Sequence, residues 1–574
     1  MRWVLSKRAL RLLLALIGFA TVTPEVRAQA GRSSSRYHNG RELAAALDSL
    51  RRVAPQLIQL STIAQSPGGL PVQAVRLAAG TDADDRPALL VIANAAGPHV
   101  VGSEVTLGVI RNLVAGYSSD SAVKRLLDHH TIYLIPRANP DAAEGMFARP
   151  MVELTRNAMP IDDDHDGAID EDGPDDLNGD GLITLMRVSD SAGDWMADSA
   201  DPQLLRQVDR GKGQAGTYRV YAEGRDNDKD ERYNEDPPGG VDVNRNLTYG
   251  YEYFTEGSGD GPIATPESRA IAQFFVDHPN VTAVYVLGPQ DNLVKAWEYK
   301  KEAVGPDGTP LPLTNVMQND EPWFTEVSRR YQKLTGLEKG PTSADLKGDP
   351  LSFSYYHMGR FAWGTRTWWI PELPADTSKS APKVDPKDPL KDDRNALHWL
   401  RANRPDAVIE WKEVIDPDFP GHKVEVGGLR PFVLVNPPDS LLDTLTTVQA
   451  RLVREMADLL PSIAIRDVRV EQVGAGVFRI KARVANLGYL PTVSQLGGRV
   501  RWPRRVRVEL KTDGQQIESG RKIQLLDPIQ GSGGSTEVSW IVTGRADSRV
   551  TVSASSPVAG SASQAITLHP SGSR

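Results

Sequence analysis

Residues 162–184 read DDDHDGAIDEDGPDDLNGDGLIT and put ten carboxylates into the nineteen residues from Asp162 to Asp180. Packed that closely, the carboxylates repel one another unless a counter-cation sits among them. The spacing is what calcium needs: Asp162, Asp164 and Asp166 alternate, Gly167 permits a sharp turn, and Asp170 takes the ninth position. A second loop repeats it with Asp176, Asn178, Asp180, Gly181 and Thr184. Neither ends in the bidentate Glu of a full EF-hand, because the twelfth positions hold Gly173 and Arg187, and Pro160 and Pro174 argue against flanking helices. The pattern predicts free-standing calcium loops that rigidify an insertion; without a cation the same stretch is a solvated acidic loop. A poorer third copy, DNDKDERYNED (226–236), has Glu231 where the turn wants Gly.

The elements around this insertion predict an α/β domain. Apolar runs at 88–94, 131–136 and 282–288 read as strands, and 102–114 and 265–278 as helices between them. Thr265 followed by Pro266 is a helix start, with the hydroxyl as cap and proline at the first helical position. The stretch 374–393, rich in Pro, Lys and Asp, reads as a solvated loop. A last helix at about 439–460 carries Leu445, Val448, Leu452, Met456 and Leu459 on one face and stops at Pro461. Beyond it the period falls to two, as in VFRIKARV (477–484), which predicts a separate all-β sandwich over 464–570.

The chain has 574 residues, too many for one ordinary domain, and its net charge of −8 with no long basic run argues against nucleic acid as a partner. It contains no cysteine, which excludes disulfides, thiol catalysis and Cys-ligated zinc. Residues 1–30 read as an export signal: Arg2, Lys7, Arg8 and Arg11, then the short apolar LLLALIGFATV (12–22), then the small-x-small AQA (28–30). An anchoring helix is the other reading of that stretch. With the signal removed no second long apolar run follows, so the expectation is a periplasmic or secreted protein with no membrane span.

Several short stretches carry a family resemblance. PPGGVDVNRNLTY (237–249) resembles the VDxNRN segment of the zinc carboxypeptidases, the carboxypeptidase A-like metallopeptidases. IPRANPDAAEG (135–145), ATPESRAIAQFF (264–275) and YYHMGRFAWGTRTWWIPELP (355–374) look like further pieces of that family, in its order. The resemblance implies a carboxypeptidase-like mixed sheet flanked by helices over 36–460, carrying the acidic insert at 160–236. It also implies a zinc held by a His-x-x-Glu pair and a distant His, with one position open for water. The turn IANAAGPHVVGSEV (92–105) aligns with the first pair and offers Ala96 and His99; the third position is Leu287, or Gly288 after a slip of one residue. Ala and Leu cannot bind a cation, so the resemblance predicts a degenerate zinc site.

Other positions match better. Glu372 falls at the family's catalytic base, Asn244 and Arg245 at the clamp for the substrate's terminal carboxylate, and Asp242 at the carboxylate that orients the first zinc His. A further basic substrate contact falls to Arg149 or Arg187. The family's Asp-Trp reads Ser352-Phe353, next to Leu351. The reading that results is an exported, zinc-less pseudo-enzyme that binds C-termini of peptides or cell-wall peptides. Two other readings stay open: an active zinc metallocarboxypeptidase with a site rebuilt around His99, and a calcium-stabilised surface scaffold or adhesion protein that binds through its sandwich.

Overall fold

The computed structural model describes residues 36–162, 167–229, 233–234, 236–237, 239–372 and 388–569. The expected export signal and most of the polar loop 374–393 lie outside the described residues, as do Asp164, Asp166 and part of the third acidic loop, Glu231 included.

Helix α1 (Gly40–Val53) begins at a capping box, in which the Asn39 side chain accepts from Glu42 N and the Glu42 carboxylate accepts from Asn39 N. The antiparallel pair β1 (Ile58–Gln65) and β2 (Pro71–Leu77) follows. Next come β3 (Ala88–Ala93), α2 (Val100–Gly116), α3 (Ser121–His129), β4 (Thr131–Ile135) and the short α4 (Pro140–Glu144). Every residue of β3 and β4 is buried, as strands covered on both faces require.

Residues 182–222, expected as part of a calcium-loop insertion, build strands of their own: β5 (Leu185–Ser189), β6 (Trp195–Ala197), β7 (Leu205–Gln207) and β8 (Tyr218–Ala222). Helix α5 (Pro266–Asp277), capped by Thr265, leads into β9 (Val281–Leu287), then α6 (Glu321–Thr335) and β10 (Phe361–Thr365). The main sheet has the order β1-β2-β4-β3-β9-β10, antiparallel at its first two pairings and parallel from β4 onward. After α7 (Lys391–Asn403), the strands β11 (Val408–Val414) and β12 (Val424–Leu429) pair with the inserted ones in a second, antiparallel sheet, β11-β12-β5-β8-β6-β7.

Helix α8 (Leu442–Ala457) returns to pack on α2. The two cross so closely that a Cβ on Gly108 would lie 2.4 Å from Thr446 Oγ1. The rest of the chain is a β-sandwich: β13 (Ile463–Gly474), β14 (Val477–Asn486), the short α9 (Gln495–Val500), β15 (Arg507–Thr512), β16 (Gln516–Ser519), β17 (Ile523–Leu525), β18 (Ser535–Thr543), β19 (Arg549–Ser556) and β20 (Gly560–Thr567). Its sheets, β13-β14-β18-β16 and β17-β15-β19-β20, close over a core of their own that includes Phe478, Val508, Trp540 and Val552. It meets the α/β domain through Ser494, whose hydroxyl donates to Gly359 O, and through Asp320, which accepts from Gln495 N and Leu496 N. No helix among the described residues is long and apolar enough to cross a membrane.

Candidate functional site

Ala93 pairs with Leu287 and Leu287 with Thr365, so β3, β9 and β10 end in one row. The carboxyl edge of parallel strands is where open α/β sheets build their ligand sites. The turn after β3 is held by Asn94, whose backbone sits in the left-handed region at φ 55. Its side-chain amide donates to Ala96 O at 3.2 Å and to Gly97 O at 2.9 Å. His99 N closes the turn on Ala96 O at 3.1 Å, and His99 precedes the first residue of α2 without capping it through its side chain. One turn further, a Cβ on Gly102 would touch Leu287 Cβ at 3.4 Å, so the start of α2 rests on the end of β9.

The structure therefore brings the start of α2, just after Ala96 and His99, onto Leu287. All three residues are buried. Burial, reinforced by the positive charge of Arg366, pulls the His99 imidazole down to about 4 and keeps it neutral at physiological pH. Arg366 donates to Thr342 O and Pro289 O and is offset by Asp291, whose own carboxyl is pushed up by burial. Gly288, the alternative third position, has no side chain at all.

The VDVNRN segment forms a tight turn. Asp242 accepts from Asn244 N at 2.8 Å, and burial pushes its carboxyl up to about 7 against the pull of that N–H, Arg245 and Arg156. Asn244 is buried, and its amide oxygen has no hydrogen-bond partner among the described residues. Arg245 donates to Glu256 O, Thr255 Oγ1 and the Glu252 carboxylate, all on the loop that follows. Asn246 fixes that loop: its amide N–H groups donate to Ser258 O and Gly261 O, and its oxygen accepts from Ala264 N and Ser268 Oγ.

Neither Arg149 nor Arg187 joins this turn. Arg149 bonds to the neighbouring Ala148 O, and Arg187 pairs with Glu425 while stacking on Trp411 and Tyr218. The basic group beside Asp242 is Arg156, which sequence reasoning missed. A Cβ on Gly257 would lie 3.6 Å from Arg156 Nε and 3.7 Å from Asp242 Cβ, and Arg156 is ion-paired with Glu256. The only signal was its place just ahead of the acidic insert. The same segment reaches the β3 turn, since a Cβ on Gly97 would meet Leu154 O at 2.7 Å.

Glu372 lies beyond the end of β10. Strand β10 stops at Thr365, after which Trp368 packs on Trp399 of α7 and Pro371 O accepts from Asn395 of α7. Glu372 itself is exposed.

In the first acidic loop Asp162 accepts from Gly167 N, and Asp170 accepts from Gly239 N, tying the loop to the VDVNRN approach. In the second, Asp176 accepts from Asp180 N and Gly181 N, Asn178 from Asp180 N, and Asp180 from Leu182 N. Thr184 turns inward and donates to Glu223, a buried carboxylate at the end of β8 that also accepts from Leu177 N. Glu223 lies well outside the loop in sequence, and the spacing alone did not reveal it. Among the described residues no three His, Cys, Asp or Glu side chains converge on a metal position.

A family model for zinc carboxypeptidase matches residues 43–160, the segment that carries the β3 turn and Arg156. The likeness to the zinc carboxypeptidases is carried by that segment. A second model, a domain of unknown function (DUF8731), matches residues 462–567, the sandwich. A zinc carboxypeptidase of Saccharothrix mutabilis subsp. capreolus is 28% identical over 109 residues, covering 19% of this chain and 25% of the relative. Carboxypeptidase D of Homo sapiens is 30% identical over 132 residues, covering 19% of this chain and 10% of the relative. The chain thus spans a quarter or less of the length of these two relatives. Among solved structures, thrombin activatable fibrinolysis inhibitor aligns at 11% identity and a TM-score of 0.42 over 75% of this chain and 79% of that one. A metallo-carboxypeptidase from Pseudomonas aeruginosa, in complex with (2-guanidinoethylmercapto)succinic acid, aligns at 13% identity and a TM-score of 0.30, over 71% and 68% of the two chains.

A catalytic zinc in such a peptidase takes three protein donors and leaves a fourth position open. In this chain the three positions that the resemblance assigns supply one, the His99 imidazole, and the charge acting on it is the cationic Arg366. That donor set does not fit zinc.

Proposed function

We propose that this carboxypeptidase-family chain is an exported pseudo-enzyme that holds no catalytic zinc and binds the C-terminal carboxylates of peptides, cell-wall peptides included, through Asn244 and Arg245. The observation that carries the reading is the strand-end row, where Leu287 and Ala96 fill the ligand positions with buried hydrocarbon. Without zinc to acidify a water, a base at Glu372 gains little. What supports retained binding is the buried Asn244 amide, whose oxygen has no partner among the described residues, beside a guanidinium whose fork matches a carboxylate. Against a zinc site rebuilt around His99 stands the positive charge of Arg366. Calcium in the loop at Asp176, Asn178 and Asp180 belongs to the same proposal, as a brace for the insertion; Thr184, expected as a fourth ligand, instead gives its hydroxyl to Glu223.

The test is a pair of labelled peptides identical except for a free acid or an amide at the C-terminus. The free acid is expected to bind, and the amide and the Arg245→Ala variant to lose roughly tenfold, about 1.4 kcal/mol. Equal binding of acid and amide contradicts the proposal. A second reading, adhesion through the sandwich, is favoured by Ile523 and Leu525, 43% and 59% exposed on the edge strand β17. Loss of surface binding in Leu525→Ser with peptide binding intact would establish it.

A further inference from the structure

A cavity of about 730 Å³ opens between the second sheet, helix α7 and the segment 152–156. Its apolar wall includes Leu185, Trp195, Leu205, Val220, Leu397 and Trp411. Apart from Leu397 of α7, these residues come from β5, β6, β7, β8 and β11, strands of the second sheet that are not part of the main sheet. The volume is that of a ligand site. Arg156 and Glu256 line the same cavity. They form an ion pair there, and Glu256 O also accepts from Arg245 Nη1 at 3.1 Å. The cavity and the proposed carboxylate clamp are therefore joined through one residue.

The geometry points to a single extended site in which the cavity takes the apolar side chains that precede the terminal carboxylate of a bound peptide. This rests on the reading of Arg245 as a carboxylate clamp and adds the class of peptide: one with a hydrophobic C-terminal stretch. Two features favour a peptide over a fatty acid. The charged residues shared with the clamp are a zwitterionic pair, suited to a polar backbone. The wall is aromatic and branched, with Trp195 and Trp411 among its lining residues, a composition suited to bulky side chains.

The test uses the full chain and two labelled octapeptide free acids with the same final residue, one with Leu-Phe-Leu before it and one with Ser-Gly-Ser, together with their amides. The apolar peptide is expected to bind roughly tenfold tighter. Leu185→Asp, at a side chain 44% exposed, is expected to abolish that preference while leaving the weak affinity for the polar peptide unchanged. Leu205→Ser repeats the test should the aspartate variant fail to fold. Equal affinity for the two peptides, or a preference that survives both substitutions in folded protein, overturns the inference. Displacement by palmitate as potent as by the apolar peptide overturns the assignment to peptides. Amides that bind as tightly as acids with the apolar preference intact overturn the Arg245 clamp and leave the cavity assignment standing.

Discussion

Arg245 Nη2 donates to the Glu252 carboxylate at 3.3 Å, so the guanidinium proposed to clamp a ligand already holds a carboxylate of its own chain. Glu252 is shared with Lys347 Nζ at 3.1 Å, and both Arg245 and Glu252 are about one-third exposed. An ion pair this open to water is worth only about 0–1 kcal/mol, so a ligand can displace it.

The first prediction follows from that competition. Glu252→Gln removes the internal rival without removing the side chain, and it should tighten binding of a peptide free acid roughly two- to fivefold, in line with about 0.4–1 kcal/mol. Calorimetric titration of wild type and variant measures this. Unchanged or weaker binding would mean that Arg245 is a structural group that only holds its own loop.

His99 sets the second prediction. Its folded-state value of about 4 lies below the ordinary 6.5, so between those values the unfolded chain takes up a proton that the folded chain does not. Its contribution is therefore intact above the ordinary value and is lost as pH falls toward about 4. In His99→Gln the decline of the unfolding temperature from pH 7 to pH 4 should be shallower than in wild type. Identical slopes would mean that the imidazole is wetter than its burial implies.

The third prediction concerns the acidic insert. If the Asp176–Thr184 loop binds calcium, unfolding temperature rises with calcium by mass action, about 2.7 kcal/mol at a hundredfold excess over the dissociation constant. Asp176→Ala, which also removes acceptors for Asp180 N and Gly181 N, should lower the unfolding temperature and remove its response to calcium. The same unfolding temperature in chelator and in excess calcium would leave the loop as a hydrogen-bonded acidic turn.

Much of the fold was legible in the amino-acid order because it is written locally. β3, β4 and β9 are unbroken apolar runs because both of their faces are covered, and α5 announces itself through Thr265 and Pro266. β14 alternates because only one face of its sheet meets the sandwich core. The second sheet was not legible, because its register joins distant segments such as Met186 and Val426, and β6 and β7 have only three residues each. The candidate site divides in the same way. The expected zinc positions Ala96 and Leu287 lie at the ends of two apolar runs that the sequence shows directly, whereas Arg156 meets Asp242 and Gly257 only after the whole insertion has folded back. Glu372 matched a family position in order, and what the sequence did not show is that its segment is tied to α7 through Trp368 on Trp399 and through Pro371 O, which accepts from Asn395.

The central claim is that the strand-end row no longer holds a metal. Its most direct test is metal analysis of the purified protein after dialysis against micromolar zinc and calcium. The account predicts zinc far below stoichiometric, whatever the calcium content, and no change in unfolding temperature with added zinc. One zinc retained per chain, released only by a strong chelator, would contradict it and return His99 to the list of ligands.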